Sequence, residues 1–291
     1  MEKQSRTVGT HNGSFHADEV TACALLIVSN LVDRDKVIRT RDMQKLNLCE
    51  FVCDVGGIYD PTHCLFDHHQ SEYTGSLSSA GMVLHYLHTK KYLSDGEYNF
   101  LNHTLIQGVD AHDNGVELHV PGVCTYSQLI SNFVPIHYDA PSGIQDAAFF
   151  EALDFAIGHL KRLLERHRYI RSFKKIVQEA MQVNKTCLVF DQPIPWMDCF
   201  FELEGEKHPA QFVIMPAGNH WKLRGIPPNS RERMKVRHHL PEAWAGLLEK
   251  DLKRISGISG GIFCHKGRFF SLWETKEDAE KALEKVIGSK Q

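Results

Sequence analysis

Three short apolar runs near the start of the chain each stop at an aspartate or a histidine, and no other feature restricts the fold as much. One strand-like run ends near Thr10 and meets His11, a second at 51–55 carries Asp54 near its end, and a third ends at Phe66 and meets Asp67-His68-His69. Stretches of helical period at 18–29, 78–88 and 98–110, with a further strand at 37–40, alternate with these runs in the rhythm of a β/α sheet. In open α/β sheets, sites collect just past the carboxyl ends of strands, where neighbouring loops meet. The expected fold class is α/β, with the interesting residues at such ends.

Length and composition set the frame. A chain of 291 residues fits two domains. With 42% apolar and 24% charged residues it has the composition of an ordinary globular protein. No uninterrupted apolar run approaches the roughly 18 to 20 residues of a membrane span, so no membrane role is expected. The N-terminus lacks the apolar segment of a secretion signal, which makes the cytoplasm the expected compartment. Eight cysteines are scattered with no C-x-x-C pair, which disfavours a thiolate zinc site. A net charge of −3 argues against nucleic-acid binding by net charge alone, though not against a local cationic groove. Histidine is the outlier: eleven of eighteen precede position 140, and neutral imidazole is the commonest side-chain metal ligand.

The first cluster is His11-Asn-Gly-Ser-Phe-His16-Ala-Asp18-Glu19, a strand-to-helix loop in which Gly13 permits a tight path. His11, His16 and Asp18 offer a divalent metal three N or O donors within eight residues, but taken alone the cluster reads as a loop with polar caps. Asp54 lies in an apolar run, where a buried carboxylate needs a cation or strong hydrogen-bond donors; a turn-capping role before Gly56-Gly57 is the alternative. Asp67, His68 and His69 can serve one site only where the chain bends at the strand end. In Asp110-Ala-His112-Asp113-Asn-Gly115, Asp113 is a capping residue or a weak substrate contact, and Asp110, a turn back, is the better ligand.

These segments resemble, in order and spacing, the four motifs of the DHH phosphoesterase superfamily, which includes RecJ-type exonucleases and family II pyrophosphatases. The chain is more specifically similar to the Myg (melanocyte-proliferating-gene-one) family, in T-H-N-G-S-F-H-A-D-E-V, T-R-D at 40–42, D-V-G-G-I-Y-D, F-D-H-H-Q, L-S-S-A-G at 77–81, D-A-H-D-N-G, and L-P-E-A-W-A-G-L at 240–247. The resemblance implies a DHH-type parallel-sheet N-terminal domain and a smaller α/β C-terminal domain. It implies two divalent cations, His11, His16 and Asp54 holding one, and Asp18, Asp54, His68 and Asp110 the other, with Asp54 bridging. Asp67 would orient and His69 would touch the substrate phosphate. Manganese suits the mixed imidazole and carboxylate donors, with magnesium, iron and cobalt as competitors.

The domain plan is 1–145 for the metal-binding catalytic domain, 146–189 for a helical connector, and 190–291 for a smaller substrate-gripping α/β domain. The stretch 121–143, rich in proline and glycine, reads as loop. In the last domain Gly257-Ile-Ser-Gly-Gly261-Ile-Phe-Cys-His265 keeps the family pattern, but Ser271-Leu272-Trp273-Glu274 stands where the family has a glycine-rich, phosphate-approaching segment. Arg224, Arg237, His238 and His265 are further candidates for substrate contact, the alternative being a solvated charged loop. Three functions compete: a 3′ to 5′ exonuclease on RNA or other single-stranded nucleic acid, a hydrolase of a small nucleotide or pyrophosphate, and a metal-stabilised binding protein without turnover. Oligomeric state is not legible in the sequence.

Overall fold

The computed structural model describes residues 3–116, 120–137, 139–183 and 185–288. The chain divides into two compact units, Met1–His167 and Arg168–Gln291, each an assembly of helices around a mixed five-stranded sheet. Among the described residues, no helix is long and apolar enough to cross a membrane.

The first unit contains β1 (Gln4–Thr10), α1 (Ala17–Val28), β2 (Val37–Arg39), α2 (Met43–Leu46), β3 (Cys49–Cys53), β4 (Tyr59–Asp60), β5 (Leu65–Phe66), α3 (Ser79–Thr89), α4 (Asp95–Leu101), α5 (Gln107–Asp113), α6 (Tyr126–Ser131) and α7 (Ser142–Ser172). Its sheet runs β2-β1-β3-β5-β4, parallel except for the antiparallel edge pair β4 and β5. Parallel neighbours need long crossovers, which is why helices alternate with the strands. The strands β1, β3 and β5 are adjacent, so their carboxyl ends deliver His11, Asp54 and Asp67 to one edge of the sheet. Phe51 and Phe66 are buried just before Asp54 and Asp67. Full burial of a phenylalanine contributes about 1.5–3 kcal/mol, so these strand ends are firm mounts for the two carboxylates.

Two local readings differ from expectation. The segment 121–143 includes α6, which Thr125 caps by accepting the Gln128 backbone amide on its hydroxyl while Gln128 Oε1 accepts from the Thr125 backbone amide. The expected helix over 98–110 is α4 and α5 joined by a π-helical turn, Asn102–Ile106. The boundary between units falls inside α7, within the stretch assigned to a connector. Phe149, Ala152, Leu153, Ala156, Leu160 and Leu164 of α7 are buried in the first unit's core, so this part of the helix is a wall of that unit.

The second unit contains α8 (Lys174–Val183), β6 (Cys187–Val189), α9 (Trp196–Glu202), β7 (Phe212–Ala217), β8 (His220–Gly225), α10 (Glu249–Ser256), β9 (Gly261–Cys264), β10 (Phe270–Trp273) and α11 (Lys276–Gly288). Its sheet runs β6-β7-β8-β10-β9, parallel only between β6 and β7. One core gathers Leu223, Cys264 and Trp273 with Leu252 of α10 and Ala279, Ala282 and Val286 of α11. The other packs Val213 with Val177 of α8 and Cys199 and Phe200 of α9.

Candidate metal centre

The site is built from four segments of the first unit. The loop after β1 brings His11 and His16, and the first turn of α1 brings Asp18 and Glu19. Asp54 comes directly after β3, at a positive φ of 57° that turns its carboxylate out of the strand. The chain bends after β5, as three polar residues in a row require, and the end of α5 adds Asp110 and Asp113. Asp18, Glu19, Asp54, Asp67 and Asp110 are all buried.

Asp54 faces two ways. Its Oδ2 is 3.4 Å from His11 Nε2, while its Oδ1 is 3.5 Å from His68 Nε2 and 3.4 Å from His69 Nδ1. On one side His11, His16, Glu19 and Asp54 form a group of four donors; on the other stand Asp54, His68 and His69, with Asp18, His68 and Asp113 beyond. Asp54 Oδ1 and His68 Nε2 are buried without a hydrogen bond of their own. Asp113 Oδ2 comes to 2.9 Å from that imidazole nitrogen.

The electrostatics ask for positive charge. Burial, with repulsion from Asp54 and Asp113, raises the Asp18 carboxyl well above the usual carboxylate range. Burial also opposes charge on Asp54, yet the His11 and His68 imidazoles overcome it and hold that carboxyl low. Burial works against the His11 imidazolium too, but Asp54 and Glu19 push its pKa up to about 10. The Asp113 and Asp54 carboxylates push His68 to about 10 as well. Protons or metal cations can meet this demand; buried carboxylates and neutral imidazoles at these spacings are the donor set that divalent ions take. The residues present therefore fit a metal.

Other residues hold these donors. Asp18 Oδ1 accepts hydrogen bonds from Ser78 Oγ and the Ala80 amide, both at 2.6 Å, and Oδ2 accepts from the Ser79 amide at 2.9 Å. The amino end of α3 is thus a clamp on Asp18, with charge and helix dipole in agreement. Asp67 Oδ2 accepts the Gly57 amide at 2.6 Å and its Oδ1 lies 2.8 Å from His69 Nδ1, fixing a ring that is otherwise 64% exposed. Arg39, its side chain 2% exposed, donates to the Gly13 carbonyl at 2.6 Å and to Asp146 at 2.5 Å, steadying the His11–His16 loop.

The structure reorders the expected ligands in one respect. Asp110 lies outside the donor groups: its Oδ1 accepts from Ser78 N at 3.0 Å and Ser78 Oγ at 2.8 Å, and it presses on Gly81. Asp113, one helical turn on, takes the place beside His68. Glu19 is an addition. Its carboxylate is 3.0 Å from His11 Nε2 and accepts the His16 amide at 3.0 and 3.1 Å.

A family model, MYG1_exonuc, described as "Uncharacterised protein family (UPF0160)", matches residues 7–287. The chain belongs to the MYG1 family. It is similar to the MYG1 protein of Chlamydia trachomatis serovar D, with 53% identity over 282 residues, covering 97% of this chain and 96% of that one. It is also similar to the MYG1 exonuclease of Rattus norvegicus, 31% identical over 315 residues, covering 94% and 82%. Among solved structures, RecJ in complex with Mn2+ from Thermus thermophilus overlaps 98% of this chain at 12% identity and a TM-score of 0.29. This MYG1 chain spans about half of that RecJ chain, 52%.

In this MYG1 chain the sequence-predicted residues of the second unit fall into different settings. Arg237 is consumed by backbone: its guanidinium donates to the carbonyls of Gly205, His208, Ala210 and Pro227 at 2.6–3.0 Å. A guanidinium so engaged has no fork left for a phosphate, which corrects the expectation of substrate contact there. His238 packs its ring against Phe212, 5.4 Å away. Arg224 is half-buried and gives one hydrogen bond, to the Arg233 carbonyl. His265 accepts the Gly267 amide on Nδ1 and stacks on Phe270. In β10, Ser271 and Trp273 are fully buried, the indole N–H donating to Ser271 Oγ at 2.8 Å. Trp273 also meets Trp244 edge-on at 5.6 Å.

Proposed function

We propose that this chain is a metal-dependent phosphodiesterase of the DHH type, working as a 3′ to 5′ exonuclease on RNA or single-stranded DNA. The two-sided placement of Asp54 carries the reading, because one buried carboxylate shared by two donor groups suits a pair of cations. His11, His16 and Glu19 would complete one side, and Asp18, His68 and Asp113 the other. Manganese is the first choice, with magnesium, iron and cobalt next. When bound, such a pair activates water and stabilises the attacking and leaving oxygens of a phosphoryl group.

The chain's own residues supply the rest. The α3 clamp holds Asp18 in place, and Asp67 holds the exposed His69 ring where it can meet a substrate phosphate. No protein nucleophile is called for: the nearby thiols of Cys23 and Cys53 are fully buried, and burial pushes both far above the usual thiol range. The rat relative, named an exonuclease, supports a nucleic-acid substrate. Among the described residues no cysteine is in a disulfide, which supports placing the protein in the reducing cytoplasm.

Manganese-loaded protein incubated with RNA and single-stranded DNA, labelled at either end, tests the reading. Wild type should shorten both from the 3′ end, and Asp54→Asn should not. Equal trace digestion by the two would mean a contaminant and end the proposal. A second reading, hydrolysis of a small nucleotide or pyrophosphate, draws on Ser271 and Trp273, which fill the strand where glycines would let backbone meet phosphates. Phosphate release from a panel of such substrates separates the two.

A further inference from the structure

One face of the second unit's sheet carries cations and aromatic rings side by side. Strand alternation puts Lys222 and Arg224 of β8 on the same face, opposite Leu272 and Phe270 of β10, with Phe263 of β9 next to Leu272. Helices α10 and α11 pack on the other face through Leu223, Cys264 and Trp273. On this face α8 and α9 cover Val213 and Met215 of β7. Phe263, Phe270, Leu272, Lys222 and Arg224 all stay partly exposed.

The rings are contiguous. Phe270 has Phe269 at 5.1 Å, His265 at 5.5 Å and Phe263 at 5.7 Å, and Lys222 Nζ lies 5.6 Å above its ring. The cations lack acids. Among the described residues no carboxylate pairs with Lys222 or Arg224, and Arg224 spends one N–H on the Arg233 carbonyl. Burial lowers the pKa of both, Lys222 further by Arg224 and Arg224 further by Arg233. Two half-buried cations with no counter-charge are a cost that an anionic ligand removes.

We propose that this face is a binding platform for single-stranded nucleic acid, Phe263, Phe269 and Phe270 stacking bases while Lys222 and Arg224 take the backbone phosphates. Of the partners that charge admits, this one uses both halves of the surface. An acidic peptide would pair the cations and leave the rings idle, and an apolar partner would bury the cations unpaired. Strand-tolerant stacking on aromatic residues beside a cationic track is how single strands are held without sequence preference. The platform deepens the proposed exonuclease reading by naming how the strand is gripped, and its test needs no turnover.

The experiment measures fluorescence anisotropy of the full chain with a labelled single-stranded oligothymidylate, in EDTA so that nothing is cleaved. Phe270→Ala should weaken binding at least about fivefold. Lys222→Gln should weaken it too and lower the slope of log affinity against log salt by about 0.7, the loss of one phosphate contact to a single strand. An abasic oligomer should bind wild type more weakly and be indifferent to Phe270→Ala. Lys222→Gln keeps a polar, partly exposed side chain of similar length, so it keeps the test decisive if Phe270→Ala fails to fold. Unchanged affinity in both variants, or equal affinity for the abasic strand, overturns the platform. Competition by polyglutamate as strong as that of the oligonucleotide would assign the surface to an acidic peptide instead, and likewise overturn it. Binding as expected without metal-dependent cleavage would sink the exonuclease and leave the platform standing; cleavage with unaltered affinity in the variants would do the reverse.

Discussion

Gly81 lies so close to Asp110 that a methyl group added to it would fall 2.5 Å from Asp110 Oδ1 and 2.6 Å from Oδ2. The contact sets how deeply the amino end of α3 can seat, and that end holds Asp18 through Ser78, Ser79 and Ala80. Gly81→Ala should therefore destabilise the protein by about 1–3 kcal/mol, the usual cost of overpacking. It should also reduce nuclease activity by moving Asp18. Combining it with Asp110→Ala tests the cause. In chemical denaturation, the cost of Gly81→Ala should shrink in that background, whereas simple additivity would place the strain elsewhere.

Asp54→Asn keeps shape and removes the charge that both donor groups share. Metal content by elemental analysis should fall by at least one ion per chain, and activity by more than the roughly 10–100-fold typical of lost orienting partners. Asp67→Ala should fall inside that range, because Asp67 is in none of the donor groups and acts through His69 and Gly57. Equal losses from the two variants would remove the distinction between ligand and orienter drawn from Asp54's two-sided contacts.

The His11 and His68 imidazoles give the site a pH dependence with a definite sign. Their folded values, about 10, exceed the ordinary 6.5, so in metal-free protein the stability they contribute is complete below pH 6.5 and is lost as pH rises through 10. Metal binding runs the other way. A ligand imidazole must be neutral, so ions displace these protons, and affinity should rise about tenfold per pH unit for each proton released. Calorimetry with manganese in buffers of different ionisation enthalpy should show heats that scale with the buffer. Heats independent of buffer at neutral pH would mean that neither imidazole gives up a proton.

Whether a site residue is legible in the sequence depends on where its partners lie. His11, Asp54 and the Asp67–His69 trio are readable because an apolar run that stops at a polar residue marks a strand end, and parallel strand ends converge. Glu19 is hidden by its position: an acid in the first turn of a helix is an ordinary cap partner, and only its complete burial beside His11 sets it apart. Asp110 and Asp113 sit three residues apart on one helical face, so spacing alone cannot rank them; what separates them is Ser78, thirty-two residues from Asp110, which hydrogen-bonds the Asp110 carboxylate. Helices α9 and α10 escape notice because each is short, seven and eight residues, too few for a clear period.

Arg237 shows the same limit in the second unit and carries the last prediction. A cation in a run of basic residues suggests phosphate binding, but backbone carbonyls leave no mark in a sequence, and five of them take its guanidinium. Lysine keeps the charge and cannot span the five acceptors. If Arg237 is a clamp on 205–210 and 227, Arg237→Lys should lower stability by about 2 kcal/mol or more, nearly as much as Arg237→Met, because either change leaves partly buried carbonyls unpaired. Affinity for an oligonucleotide, measured on protein verified as folded, should barely move in the lysine variant. A lysine variant of wild-type stability that binds nucleic acid more weakly would instead return Arg237 to the substrate.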